Sequence, residues 1–222
     1  MKLLAIDTST DFLSLAVMDG NDVLARIHRS EPRSHSSLLV PMIDEVLKMS
    51  GVELKALDGF CLSIGPGSFT GLRIGVTTIK GLGVITKKPI VVVPTLDVIA
   101  QNAKRFHGII CTVLDARKAK AYACIYRSDG KGLKKLSKVL LAPVAGIVKI
   151  LSCYDEVLFL GDFADKIAPQ LSGARVMEGA WQPRPEVVGI LGLEYFKKKR
   201  FVKAEDLEPS YIYSKECDVT GR

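Results

Sequence analysis

The sequence predicts an α/β protein of two similar lobes built from an internal repeat. Three observations carry this. Each half opens with an apolar strand ending in aspartate: residues 2–7 run into Asp7-Thr8-Ser9-Thr10, and residues 109–114 run into Asp115-Ala116-Arg117. Each aspartate is followed by a second strand, a glycine turn and a third strand, with Gly20 placed 13 positions after Asp7 and Gly130 placed 15 after Asp115. The later segments 59–64, 90–93 and 157–160 are apolar throughout, as parallel strands covered on both faces require. With the seam at 104–108, the expected lobes are 1–106 and 107–222, the C-terminal tail being able to pack back on the first.

Length and composition agree with this reading. A chain of 222 residues with 48% apolar content can bury a sizeable core. Five cysteines without any CxxC pair read as reduced thiols in a cytosolic compartment. The apolar run before Asp7 is too short for a signal peptide, and no run is long enough to span a membrane, so a cytoplasmic location with no membrane partner is expected. Net charge is +7, divided as +2 over residues 1–108 and +5 over 109–222. Between 117 and 138, Arg117, Lys118, Lys120, Arg127, Lys131, Lys134, Lys135 and Lys138 stand against Asp129 alone. Such a strip fits a phosphate backbone, and equally a solvated hairpin whose basic edge resists aggregation.

In the first half, strands fall at 2–7, 12–18 and 23–28, with Asp19-Gly20-Asn21-Asp22 as a hairpin turn. A polar loop covers 29–37. Leu38, Leu39, Met42, Ile43, Val46 and Leu47 then mark an amphipathic helix closed by Gly51, with Pro41 in its first turn or kinking it. Strand 59–64 leads through Gly65-Pro66-Gly67 into a helix from about Thr70, and strand 90–93 leads into a helix with Thr95 as N-cap. In the second half, strands fall at 109–114, 119–126, 133–140 and 157–160, and helices at 143–152, 162–172 and 186–199.

The stretch Ser63-Ile64-Gly65-Pro66-Gly67-Ser68-Phe69-Thr70-Gly71-Leu72-Arg73-Ile74-Gly75 organises the chain. Its glycines at 67, 71 and 75 recur every four residues, which keeps them on one helix face. Each helical glycine costs about 1 kcal/mol relative to alanine, so a bare face points to close approach of another backbone, within the fold or from another chain. A phosphate cradle at the helix N-terminus is the other reading. A Walker A loop is excluded because Gly71-Leu72-Arg73 stands where Gly-Lys-Ser/Thr is needed, and a GxGxxG fingerprint fails at Thr70.

This string resembles the signature of the TsaB (YeaZ) family. So do Leu4-Ala5-Ile6-Asp7-Thr8-Ser9-Thr10, His35-Ser36, Val113-Leu114-Asp115-Ala116-Arg117 and Pro209-Ser210-Tyr211. Two lobes that each open on a strand meander and an aspartate also resemble the actin-like, sugar kinase and Hsp70 architecture, a ribonuclease H-like frame. There the aspartate turns hold nucleotide phosphates and magnesium. Ser9 and Ala116 replace the glycines those turns usually carry, so Asp7, Thr8, Ser9 and Asp115 read as a degenerate nucleotide site. The catalytic relative TsaD holds a metal through two helical histidines. At the matching place this chain has His35 and then Leu39, so no metal site is expected, and His35 reads as a cap or surface contact. Near the C-terminus the family's arginine is Tyr213, after Tyr211 and Ile212.

The resemblance implies a non-catalytic scaffold or activator for TsaD in making threonylcarbamoyladenosine beside the tRNA anticodon. It implies a TsaD-like catalytic subunit and a TsaE-like ATPase as partners, tRNA bound through the assembly, and a homodimer when TsaD is absent. No cofactor is expected in the isolated chain, with ATP and metal on the partner subunits. The partner-binding residues would be Gly67, Ser68, Phe69, Thr70, Gly71, Leu72, Arg73, Ile74, Gly75 and Thr78. Arg117, Lys118, Lys120, Lys131, Lys134 and Lys135 are the candidates for tRNA contact. An active actin-like ATPase or small-molecule kinase using Asp7 and Asp115 is the alternative. A peptidase built on His35, Ser36 or Ser68 comes third, because no nucleophile elbow or orienting acid accompanies them.

Overall fold

The computed structural model describes residues 1–179 and 181–210, so Tyr211, Ile212 and Tyr213 lie outside the described residues. The chain forms two compact units. Unit 1 is Met1–Ala103 with Gly179–Pro209, and unit 2 holds Lys104–Glu178. The first change of unit therefore comes three residues before the expected boundary, and far more than a tail returns to unit 1. Burial is the reason. The helix Pro185–Lys197 packs Val188, Leu193 and Phe196 against Leu3, Ala5, Cys61 and Val91.

Unit 1 contains β1 (Lys2–Asp7), β2 (Phe12–Asp19), β3 (Asp22–Ser30), α1 (His35–Ser50), β4 (Gly59–Ser63), α2 (Phe69–Thr86), β5 (Ile90–Val93) and α3 (Thr95–Ala100). Its sheet order is β3-β2-β1-β4-β5, antiparallel across the first three strands and parallel from β1 to β5. Alternate residues of β1 serve opposite faces. Leu4 and Ile6 join Leu39, Met42, Val46, Val76 and Ile79 under α1 and α2, whereas Leu3 and Ala5 meet the C-terminal helix. Full burial of a side chain such as Phe60 contributes about 1.5–3 kcal/mol.

Unit 2 contains β6 (His107–Asp115), β7 (Lys120–Asp129), β8 (Leu133–Lys135), β9 (Leu140–Pro143), α4 (Val144–Leu151), β10 (Val157–Leu160), α5 (Ala164–Ile167) and β11 (Ala174–Val176). The Pro185–Lys197 helix of unit 1 is α6. The sheet runs β8-β7-β6-β10-β11, with β9 also on β7. In both sheets the first strand is central, flanked by its hairpin partner on one side and a parallel strand on the other. The expected α/β class is the one adopted.

Several boundaries differ from expectation. Helix α1 starts at His35, inside the anticipated loop, and Pro41 stands beyond its first turn. Pro94, not Thr95, is the cap of α3, and the Thr95 N–H instead donates to the Gly65 carbonyl at 2.9 Å. The strand expected over 133–140 is split in two. At the break the Ser137 hydroxyl accepts from the Ile125 N–H at 3.0 Å, and so substitutes a side chain for a ladder carbonyl. The segment expected as one helix over 162–172 contains only a four-residue helix and a 3₁₀ turn, and β11 was not anticipated.

Candidate functional site

The first aspartate turn is closed on itself. Strand β1 carries Asp7 into the interior, and Asp7, Thr8, Ser9 and Thr10 are all buried. The Asp7 carboxylate accepts the Ser9 N–H at 2.9 Å, and the Ser9 hydroxyl donates to its two oxygens at 2.9 and 3.1 Å. Burial pushes the Asp7 carboxyl above its usual range, opposed by the nearby Ser63 hydroxyl, by hydrogen bonding to Ser9 and by the charge of His35. His35, the first residue of α1, is buried and not the expected surface contact. Its Nε2 has no hydrogen-bond partner among the described residues, nor does Thr8 Oγ1.

The glycine face of α2 packs on this same turn. A Cβ at Gly67 would overlap the Ser9 carbonyl oxygen, at Gly71 the Thr8 carbonyl oxygen, and at Gly75 the Thr8 hydroxyl. The Ser68 N–H donates to the Ser9 carbonyl at 2.7 Å, and Ser68 Oγ caps α2 by accepting the Gly71 N–H at 3.3 Å. This corrects the expectation that Gly67, Gly71 and Gly75 offer a bare face to another chain. The four-residue spacing admits the backbone of residues 8–9 of the same unit, and Leu72 is buried beside it. At the helix N-terminus the Ser68 N–H is thus taken by a main-chain oxygen. Outward, α2 presents Phe69, which is 44% exposed, with Thr70 and Arg73. The Arg73 guanidinium lies 3.9 Å above the Phe69 ring, and Ile74 and Thr78 are half-buried.

The second turn is built differently. Arg117, Lys118 and Ala119 have φ of 65°, 51° and 57°, three consecutive non-glycine residues in the left-handed region, where each costs about 1–2 kcal/mol. The Asp115 carboxylate accepts the Arg117 N–H at 2.7 Å, and the Asp115 N–H donates to Asp162 Oδ1 at 2.9 Å. The Lys120 N–H donates to the Arg117 carbonyl, and the Ala116 N–H to the Lys120 carbonyl, both at 3.0 Å. Beside the turn opens a cavity of about 370 Å³, lined by Asp115, Arg117, Lys118, Ala119, Val144, Phe163, Lys166 and Gln170. The Lys166 ammonium lies 4.6 Å from the Phe163 ring centroid. Gly161-Asp162-Phe163-Ala164 faintly resembles the adenosine motif of the actin-like superfamily in sequence, which singles out Phe163. Lys166 was missed, because the expected long helix gave no reason to set it facing the turn.

Of the remaining basic residues, Lys131, Lys134 and Lys135 are exposed and Lys120 is half-buried. Arg127 lies directly opposite Lys134 on β7 and β8, a repulsive cross-strand pair. The N–H groups of Gly132 and Lys131 hold the Asp129 carboxyl below its usual range. Among the described residues no three His, Cys, Asp or Glu side chains gather as a metal site. Near Asp7 the donors are that carboxylate and His35, while Leu39, one turn along α1, is core. That donor set does not fit a metal ion. No described helix is long and apolar enough to cross a membrane.

Residues 23–157 match the family TsaD, tRNA N6-adenosine threonylcarbamoyltransferase. The chain is 36% identical over 135 residues to tRNA threonylcarbamoyladenosine biosynthesis protein TsaB of Escherichia coli, covering 60% of this chain and 58% of that protein. It is 29% identical over 226 residues to the protein of the same name from Bacillus subtilis, covering 99% and 97%. Among solved structures, YeaZ from Pseudomonas aeruginosa superposes with a TM-score of 0.81 at 27% identity, covering 95% of this chain and 99% of that one. The fold is thus of the actin-like class. The ethanolamine utilization protein EutJ of Carboxydothermus hydrogenoformans, 12% identical with a TM-score of 0.51, shares that fold alone.

Proposed function

Because the chain belongs to the TsaB (YeaZ) family, we propose that it is a non-catalytic partner subunit. In this reading it supports a TsaD-like threonylcarbamoyltransferase in tRNA threonylcarbamoyladenosine biosynthesis. One observation carries it: the Ser9 carbonyl and the Thr8 backbone fill the N-terminal glycine face of α2. In an actin-like ATPase that aspartate turn carries a glycine and stays open to a phosphate. Here Ser9 stands in its place, its N–H and hydroxyl are spent on Asp7, and its carbonyl packs on α2. The two-donor set at His35 and Asp7 supports the same reading.

The TsaD-like subunit docks on the outward side of α2, through Phe69, Thr70 and Arg73 with Ser68, Ile74 and Thr78 beside them. The glycines and Leu72 act from beneath by fixing the helix. Two copies pair through the same side when that subunit is absent. ATP, metal and a TsaE-like ATPase belong to the rest of the assembly, and tRNA is held by the whole.

Reconstituted threonylcarbamoyl transfer tests this reading. A chain carrying Asp7→Asn and Asp115→Asn should support the TsaD-like subunit as well as wild type does, within about twofold. ATP hydrolysis by the isolated wild-type chain, lost in Asp7→Asn, would overturn the reading in favour of an active ATPase.

A further inference from the structure

We propose that the unit 2 cavity beside Asp115 seats a backbone phosphodiester of RNA. This rests on the proposed role in tRNA modification and adds a site to it. Cations from two separate elements converge there: Arg117 and Lys118 from the β6–β7 turn, and Lys166 from α5. The Arg117 side chain is 88% exposed, and its Nη1 stands 3.7 Å from Asp115 Oδ2, beyond a normal hydrogen bond. This is a loose, exposed ion pair without a close hydrogen bond, which an incoming anion can compete for.

The turn that carries two of these cations is held left-handed without a glycine. Backbone strain of this kind persists where the surroundings fix it, and it clusters at ligand clamps. Here a two-residue hydrogen bond to Asp115 and the Ala116–Lys120 pair fix it.

The floor selects the anion. Asp115 lines the cavity, and Asp162 accepts the Asp115 N–H. The Asp115 carboxylate in the lining repels a multiply charged polyphosphate more than a diester, which carries one charge. Val144 and Phe163 give the wall an apolar stretch suited to a ribose face. The same unit carries the opposed Arg127–Lys134 pair, whose repulsion a polyanion relieves, so a nucleic-acid strand meets more than one cationic point.

The experiment is tRNA binding by the full chain, read by fluorescence anisotropy between about 50 and 200 mM salt. Lys118→Gln with Lys166→Gln should weaken binding about tenfold at the low-salt end and flatten the salt slope by roughly one to two units. Lys166→Gln alone, an exposed change on α5, should carry part of that loss with an unchanged melting temperature. A charge-matched Lys48→Gln, Lys55→Gln variant in unit 1 should lose less than twofold. Equal losses in the two double variants, or none, would overturn the proposal. So would ATP binding that the cavity variants abolish while tRNA affinity stays put, which would give the cavity to a mononucleotide. Association of the cavity variants with the TsaD-like subunit, followed by sizing, separates this inference from the functional reading: normal association beside unchanged tRNA binding defeats the site alone.

Discussion

Asp7 and Asp115 each end the first strand of their own sheet, but their turns solve the same local problem in opposite ways. At Asp7 the chain supplies a serine, whose N–H and hydroxyl both go to the carboxylate, and the next helix supplies glycines that admit the turn's backbone. At Asp115, among the described residues, no helical glycine packs on the turn. The strain stays in the turn itself, as three left-handed residues, and the space beside it remains open. One turn is closed and relaxed; the other is strained and accessible. A frame that suits phosphate binding thus holds a packed joint in unit 1 and a cationic cavity in unit 2. Fold alone assigns neither role.

The comparison is broken most directly with a single methyl group. Gly71→Ala should destabilise unit 1 by about 3 kcal/mol or more, because its Cβ meets the Thr8 carbonyl oxygen. That corresponds to a melting temperature lower by about 6–12 °C. Gly81→Ala lies on the same helix with open space around it, and should gain up to about 1 kcal/mol. Equal effects at the two positions would mean that the first turn is not packed against α2. Next in size, Ser9→Ala removes the hydroxyl from a buried carboxylate and should cost about 1–3 kcal/mol in denaturant melts. In the other turn, Lys118→Gly should stabilise by about 0.5–1 kcal/mol, the left-handed penalty less the entropy of glycine. A loss of stability there would show that the turn is not strained.

Much of this contrast was legible in the sequence. The strand-aspartate pattern, the missing glycines at Ser9 and Ala116 and the four-residue glycine spacing led to the fold and to both turns. What spacing withheld was the identity of the neighbour. A bare helix face signals close approach, but whether the approaching backbone is Thr8 or another chain depends on tertiary packing. His35 misled for a similar reason: beside Ser36 and ahead of the apolar stripe it read as polar loop, yet the start of α1 carries it inward towards Asp7. Lys166 was missed because 162–172 read as one long helix, whereas only Ala164–Ile167 is α-helical and a 3₁₀ turn follows.

A smaller effect comes from pH. The folded chain raises the Asp7 carboxyl above its ordinary value of 3.8 by burial, so the folded state holds that proton more tightly than the unfolded one. The resulting stability is full below the ordinary value and is lost as pH rises through the folded one. Asp7→Asn has no such loss. Its melting temperature relative to wild type should therefore climb as pH rises from about 4 towards neutrality. A difference that stays flat over that range would mean Asp7 is not desolvated.

The smallest expected effect on the fold accompanies the central claim, that α2 packs inward through its glycines and docks outward through Phe69 and Arg73. The measurement is sizing of the TsaD-like subunit with a chain carrying Phe69→Ala and Arg73→Glu. Both side chains are exposed, so the variant should melt within about 0.5 kcal/mol of wild type. It should nevertheless elute apart from the TsaD-like subunit under conditions where wild type co-elutes. Co-elution of the variant at wild-type affinity would contradict the account and move the interface off α2.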